Sequence, residues 1–261
     1  MSEITNDIDH GKIVIGSIMG GYPDLGMTEE FVMEMMRGGA DIIEIRIPFS
    51  DPVADGPAMQ EANCRSLQSG TDLDGLFQLV KGLRQKTPVP IIFKTYLNPV
   101  FHHGYQRFFH RCQEVGLDGI VILDLPLEEM DELAGICGAC GVELISTVAA
   151  TSGDRIALIA AEARGFLNVL PPLAKNGDND ETESGIRSLC RSVRAATDIP
   201  IIIGAGIEDP EEAKRMVRYA DGVLVDGGIV KLMLDHGSEA GPKICRYIQD
   251  IKEALNEFPN E

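Results

Sequence analysis

The run Glu44-Ile45-Arg46-Ile47-Pro48-Phe49-Ser50-Asp51-Pro52-Val53-Ala54-Asp55-Gly56-Pro57 carries an acid out of an apolar strand and into a turn-rich loop that holds two more. Carboxyl groups placed this way suit proton transfer, because different surroundings hold one protonated and another ionised at neutral pH. The stretch Ala40 to Ile47 is otherwise apolar, as a strand covered on both faces must be, so Glu44 is expected to face an interior. Arg46 sits two residues on and shares that face. It reads either as a structural ion-pair partner of Glu44 or as part of a binding site, since an acid paired in an interior is costly to keep unless something uses it. Lys94 ends the apolar run Ile91-Ile92-Phe93-Lys94-Thr95. A buried amine is a suitable nucleophile toward carbonyls, and a salt bridge from Lys94 to Glu44 or Asp124 is the equal alternative. Asp124 closes Val121-Ile122-Leu123-Asp124, where capping of loop amides competes with a role in binding.

The elements that position these residues alternate between short apolar runs and longer amphipathic ones, which is the pattern of repeated βα units around a parallel sheet. Strands are expected at Lys12 to Met19, Asp41 to Ile47, Val89 to Thr95, Gly119 to Asp124, Glu143 to Val148, Phe166 to Leu170, Ile199 to Gly204 and Gly222 to Val225. Helices are expected at Thr28 to Arg37, Leu73 to Gln85, Tyr105 to Val115, Glu128 to Cys140, Asp154 to Glu162, Ser184 to Ala195, Pro210 to Arg218 and Ile244 to Asn256. This is an α/β chain, and a closed (β/α)8 TIM barrel fits better than an open doubly wound sheet, because the last strand is as apolar as the middle ones. No Gly-x-Gly-x-x-Gly follows the first strand, which argues against a dinucleotide fold. Residues 1 to 261 read as a single barrel domain. In such a barrel the chemistry lies at the C-terminal ends of the strands, where Glu44, Lys94 and Asp124 fall.

A formal net charge of −18 argues against a nucleic-acid or anionic-membrane partner and leaves small molecules. Cys64, Cys112, Cys137, Cys140, Cys190 and Cys245 show no disulfide framework and read as reduced thiols of a cytoplasmic protein. Cys137 and Cys140 have no second pair to complete a zinc site, so no metal is expected. Neither a signal peptide nor an apolar run long enough to span a bilayer is seen, so export and membrane insertion are not expected.

Pro48 to Pro57 match, residue by residue, the signature Pro-Phe-Ser-Asp-Pro-x-Ala-Asp-Gly-Pro that follows an acid-bearing strand in one family. With Gly21-Tyr22-Pro23-Asp24, Tyr96-Leu97-Asn98-Pro99, Asp124-Leu125-Pro126, Gly204-Ala205-Gly206-Ile207 and Ile229-Val230-Lys231 in family order, the whole chain resembles the tryptophan synthase alpha subunit family. The resemblance implies retro-aldol cleavage of indole-3-glycerol phosphate to indole and glyceraldehyde 3-phosphate, without a cofactor and in concert with a beta subunit. It implies that Glu44 moves protons between the substrate hydroxyl and the ring carbon, and that Asp55, on a loop that orders over substrate, accepts the indole N–H. It sets Tyr96, Asp124 and Asn168 around the substrate, and Gly177, Gly206, Gly227 and Gly228 around its phosphate.

Several positions depart from the family pattern. Lys94 and Asn168 stand where the family has apolar and aromatic residues, Ser17 replaces a bulky apolar one, and Arg46 replaces a small one beside the acid. Asp226 precedes Gly227 at the phosphate turn, where its charge opposes a dianion unless the side chain turns away. The segment Met1 to Gly11 offers little of the apolar helix that plugs the barrel bottom in the family. Three readings follow. The leading one is the family lyase. A second is a paralogue that cleaves or forms a carbon–carbon bond in a more polar substrate, with a carboxylate on Arg46 and a Schiff base on Lys94. The third is a non-catalytic activator of a beta-type partner.

Overall fold

The computed structural model describes Ile4 and residues 11–171, 179–204 and 207–257. Its strands are β1 (Ile13–Met19), β2 (Ile42–Arg46), β3 (Ile91–Thr95), β4 (Gly119–Ile122), β5 (Glu143–Ile145), β6 (Thr147–Ala149), β7 (Leu167–Leu170), β8 (Ile201–Gly204) and β9 (Gly222–Val225). They form one nine-stranded sheet in the order β5-β4-β3-β2-β1-β9-β8-β7-β6. β5 and β6 are pieces of the one strand read from Glu143 to Val148, kinked at Ser146. The first piece pairs in parallel with β4 and the second with β7. At the kink the Asn168 amide donates to the Ser146 carbonyl at 3.0 Å. The kinked strand thereby joins the two ends of the sheet, and a (β/α)8 barrel results.

Every residue of β1, β2, β3, β4, β8 and β9 is buried, which is why the strands read as unbroken apolar runs rather than as alternating ones. Alternate side chains point inward. Ile13, Ile15, Ile42, Ile92, Val121, Ile145, Phe166, Ile202 and Leu224 pack together as an apolar floor inside the barrel. Ile4 joins this cluster and is 2% exposed, packing next to Gly119 at the start of β4. Ile4 thus adds an apolar side chain to the barrel bottom that the polar composition around it did not suggest.

Eight outer helices, Leu25–Arg37, Leu73–Arg84, Tyr105–Val115, Asp131–Ala139, Ile156–Glu162, Asn179–Arg194, Pro210–Val217 and Gly241–Leu255, lie within a few residues of their expected places. Three further helices among the described residues, Pro57–Gln68, Leu97–His103 and Gly227–His236, are not among the eight expected from periodicity. They follow β2, β3 and β9, so they build the mouth of the barrel around the residues of interest. Among the described residues no helix is long and apolar enough to cross a membrane.

Candidate active site

Two residues above the apolar floor the barrel lining turns polar. Ser17, Glu44 and Lys94 follow Ile15, Ile42 and Ile92 at a spacing of two, so each stands on the inward face. Register places Ser17 beside Glu44, and Arg46 beside Lys94. Glu44 is wholly buried and Lys94 is 4% exposed. Glu44 Oε1 accepts a hydrogen bond from Ser17 Oγ at 2.6 Å and lies 3.3 Å from Lys94 Nζ. Glu44 Oε2 is buried and has no hydrogen-bond partner among the described residues. Of the two salt bridges weighed for Lys94, the one to Glu44 forms. Asp124 is turned elsewhere: it is exposed, and its Oδ1 accepts from the Leu97 amide at 2.6 Å, the loop-capping role.

Arg46 does not pair with Glu44. Its guanidinium reaches over the acid to Asp55 Oδ1 at 3.1 Å and to Asp226 Oδ2 at 3.6 Å, with all three side chains largely buried. Burial alone opposes the charge on Arg46, but Asp226, Asp55 and Glu44 more than offset it, and the guanidinium pKa is raised. Asp226 also caps the helix Gly227–His236, its Oδ1 accepting from the Gly227 amide at 2.7 Å. The carboxylate therefore points onto the helix end and toward Arg46, and its charge is compensated there. Gly227 has open space where a side chain would begin, whereas a Cβ on Gly228 would fall 2.4 Å from the Tyr247 hydroxyl, so the second position requires glycine. Gly177 and Gly206 lie outside the described residues.

The loop bearing Asp55 is fastened at several points. Asn63 Nδ2 donates to Asp55 Oδ2 at 3.2 Å, while Asn63 Oδ1 accepts from the Phe49 amide at 3.0 Å. The Ala54 amide donates to the Tyr96 hydroxyl at 3.0 Å, and Gln60 Nε2 donates to the Asp55 carbonyl at 2.9 Å. Tyr96 also sets its ring 5.3 Å from that of Phe49, and burial raises its phenol pKa. The tip of the loop remains in solvent, with Val53 84% exposed. Asn63, which holds this loop, is a residue that the sequence reading did not single out. It lies on the buried stripe Met59, Ala62, Asn63, Ser66 of the helix Pro57–Gln68, and a polar residue on an inward stripe just after an acidic loop is the available signal.

Across the barrel, Asn168 is 1% exposed. Its Nδ2 donates to Thr147 Oγ1 at 3.4 Å, and its Oδ1 has no partner among the described residues. A cleft of about 410 Å³, bordered by Leu123, Asp124, Thr147 and Leu170, opens near the ends of β4, β6 and β7. Cys112 and Cys137 are buried, and burial pushes both thiols up, that of Cys137 to about 12. These thiols pack between helices and are poor nucleophiles. The chemistry on offer is that of a dry carboxylate with one oxygen anchored and one free, an ammonium against it, and a second carboxylate held above by a guanidinium.

The chain matches the family model of the tryptophan synthase alpha chain over residues 6–256. It is 38% identical over 256 residues to the tryptophan synthase alpha chain of Lacticaseibacillus casei, covering 98% of this chain and 96% of that one. Over 265 residues it is 37% identical to the corresponding chain of Alkaliphilus metalliredigens, with coverage of 100% and 99%. Tryptophan synthase subunit alpha from Legionella pneumophila str. Paris superposes with a TM-score of 0.87 at 26% identity, covering 95% of this chain and 94% of that one. One chain of a tryptophan synthase complex from Pyrococcus furiosus superposes with a TM-score of 0.84 at 27% identity, with coverage of 94% and 99%. With a signature loop, a barrel and a full-length match in agreement, this protein belongs to the tryptophan synthase alpha chain family.

Proposed function

We propose that this chain is a carbon–carbon lyase that cleaves indole-3-glycerol phosphate to indole and glyceraldehyde 3-phosphate, with Glu44 as the acid/base and Asp55 as the acceptor of the indole N–H. The observation that carries this reading is Glu44 itself. It is wholly buried, anchored through Oε1 by Ser17 and Lys94, and its Oε2 has no partner among the described residues. A carboxylate in a dry site with one uncommitted oxygen is prepared for proton transfer, and orientation through the other oxygen limits the motion that would slow it. Asp55 is held over the same space by Arg46 and Asn63. An indole N–H arriving there meets a fixed acceptor, which stabilises the tautomer formed when the ring is protonated.

The polar lining is compatible with an aromatic substrate, because Lys94 presents an ion pair to the ring rather than an uncompensated cation. Nζ is held against Glu44 Oε1 at 3.3 Å, which weighs against a Schiff base. A phosphate at the Gly227–Gly228 turn shares the helix end with Asp226 and has Arg46 as its neighbouring cation. We place the enzyme in the cytoplasm, in line with six free thiols, and working with a tryptophan synthase beta subunit. The test is product analysis: purified protein incubated with indole-3-glycerol phosphate is expected to release indole and the triose phosphate in equal amounts, faster when the beta subunit is added. A folded protein that yields neither product, with or without that subunit, removes the assignment.

A further inference from the structure

We propose that Lys94 is a second catalytic residue, an acid paired with Glu44 that delivers the proton received by the indole ring carbon. The inference rests on the retro-aldol reading above. That reaction needs a proton removed from the substrate hydroxyl and another placed on the ring carbon as the carbon–carbon bond breaks. A lone carboxyl must make both transfers in turn, whereas an adjoining ammonium and carboxylate divide them.

The geometry supplies such a pair. Lys94 Nζ lies 3.3 Å from Glu44 Oε1, with side chains 4% and 0% exposed. Ser17 anchors that same oxygen, so Oε2 remains available to the hydroxyl. The Lys94 ammonium gives its proton to the ring carbon, the ring π electrons forming the new C–H bond and leaving the tautomer whose N–H Asp55 accepts. Oε2 then takes the hydroxyl proton while the O–H electron pair becomes the second bond of the new carbonyl, and the electron pair of the breaking carbon–carbon bond returns to the ring and restores its aromaticity. Glu44 is then neutral and Lys94 an amine, and the proton returns across their contact, so nothing is drawn from water and no oxidant or reductant is involved. Arg46, the other buried cation near Glu44, is bound to Asp55 and Asp226 and does not release a proton in this pH range. Asp55 and Asp226 are both ion-paired with Arg46. Tyr96 is committed to the acid loop, its hydroxyl accepting from the Ala54 amide and hydrogen-bonded to Asp55.

The experiment measures replacement of the ring-carbon hydrogen of indole by deuterium in heavy water, followed by proton NMR, with the parent, Lys94→Met and Lys94→Arg, each checked for native circular dichroism. Exchange catalysed by the parent and lost by roughly 10²–10⁴-fold in both variants is the predicted result, the range typical of a general acid. Lys94→Arg keeps the charge but not the transferable proton, so it separates proton delivery from electrostatic support, and it decides the matter if Lys94→Met does not fold. Exchange by Lys94→Arg at the parental rate overturns the proposal, as does absence of exchange in the parent. Mass added at Lys94 after borohydride treatment with substrate also overturns it, since the amine is then a nucleophile. Failure of the parent to release indole from indole-3-glycerol phosphate is a separate outcome that removes the lyase reading.

Discussion

Replacing Lys94 with methionine keeps the chain nearly the same length and removes only the charge, which strands Glu44 in the barrel with Ser17 as its remaining hydrogen-bond donor. At the observed 3.3 Å, two unit charges interact by about 5 kcal/mol at an effective dielectric constant near 20. Both groups gave up hydration on folding, so the pair itself adds little net stability, but breaking it from one side costs about 3–5 kcal/mol. That is a large share of the roughly 5–15 kcal/mol that holds a folded protein together. In the double variant Glu44→Gln/Lys94→Met no charge is stranded, and most of the loss is expected to return, giving a coupling energy of about 2 kcal/mol or more. Urea denaturation followed by circular dichroism at neutral pH measures all four species, with unchanged m-values confirming that the native state is what moved. A Lys94→Met cost below about 1 kcal/mol, additive with Glu44→Gln, is the behaviour of a solvated surface pair and would refute the dry ion pair on which the site is built.

Other consequences follow from the groups above Glu44. Arg46→Met removes the cation between Asp55 and Asp226; kcat/KM is expected to fall on the order of 10²-fold as the acid loop shifts, and elastase is expected to cleave near Val53, whereas parental kinetics would free the loop from Arg46. Asn63→Ala leaves the Phe49 amide and one Asp55 oxygen short of a partner, at a cost of about 1–3 kcal/mol in the urea titration. Thiol reactivity separates surface from core: iodoacetamide at mildly alkaline pH is expected to modify exposed Cys64 first, by mass spectrometry. Cys137 and Cys190, whose pKa values are pushed up to about 12 by burial, hold few thiolates there and gain reactivity only as pH rises toward that value. Modification of Cys137 as fast as Cys64 would contradict this.

Much of the barrel was legible because a parallel strand covered on both faces must be largely apolar, and the runs at Ile13–Met19, Ile42–Arg46 and Ile91–Thr95 keep to that rule except at Ser17, Glu44, Arg46, Lys94 and Thr95. Strand ends were read too long where a proline or a charged residue marks the boundary, as at Ile47-Pro48 and Val89-Pro90. The helices Leu97–His103 and Gly227–His236 escaped notice for local reasons: Pro99 lies in the first turn of one, where it is tolerated, and two glycines open the other. The kink at Ser146 has no composition signal, because it is the closure of the sheet that divides one strand between two partners.

At the site, spacing alone put Glu44 and Arg46 on one face, and that holds. The Lys94–Glu44 pair was one of the two salt bridges weighed for Lys94, but the partners of Arg46 were not readable. Neighbours in sequence suggest an Arg46–Glu44 pair, yet the longer guanidinium stem carries its charge past Glu44 to Asp55 and to Asp226 at the end of β9, while the shorter reach of Lys94 ends on Glu44. Side-chain length and barrel curvature decide this, and neither is a property of the local sequence. Whether Asp226 would repel an anion depended in the same way on where its carboxylate turned, and it turned onto the Gly227 amide.

The most direct test of the central claim is the single-turnover rate of indole release from indole-3-glycerol phosphate by the parent and by Glu44→Gln, both shown to be folded and both assayed with the beta subunit present. The parent is predicted to release indole, and the variant to be slower by roughly 10²–10⁴-fold, the contribution of a positioned acid–base group. Comparable rates in the two proteins would contradict the assignment of Glu44, and with it the reading of this barrel as a lyase built around that carboxylate.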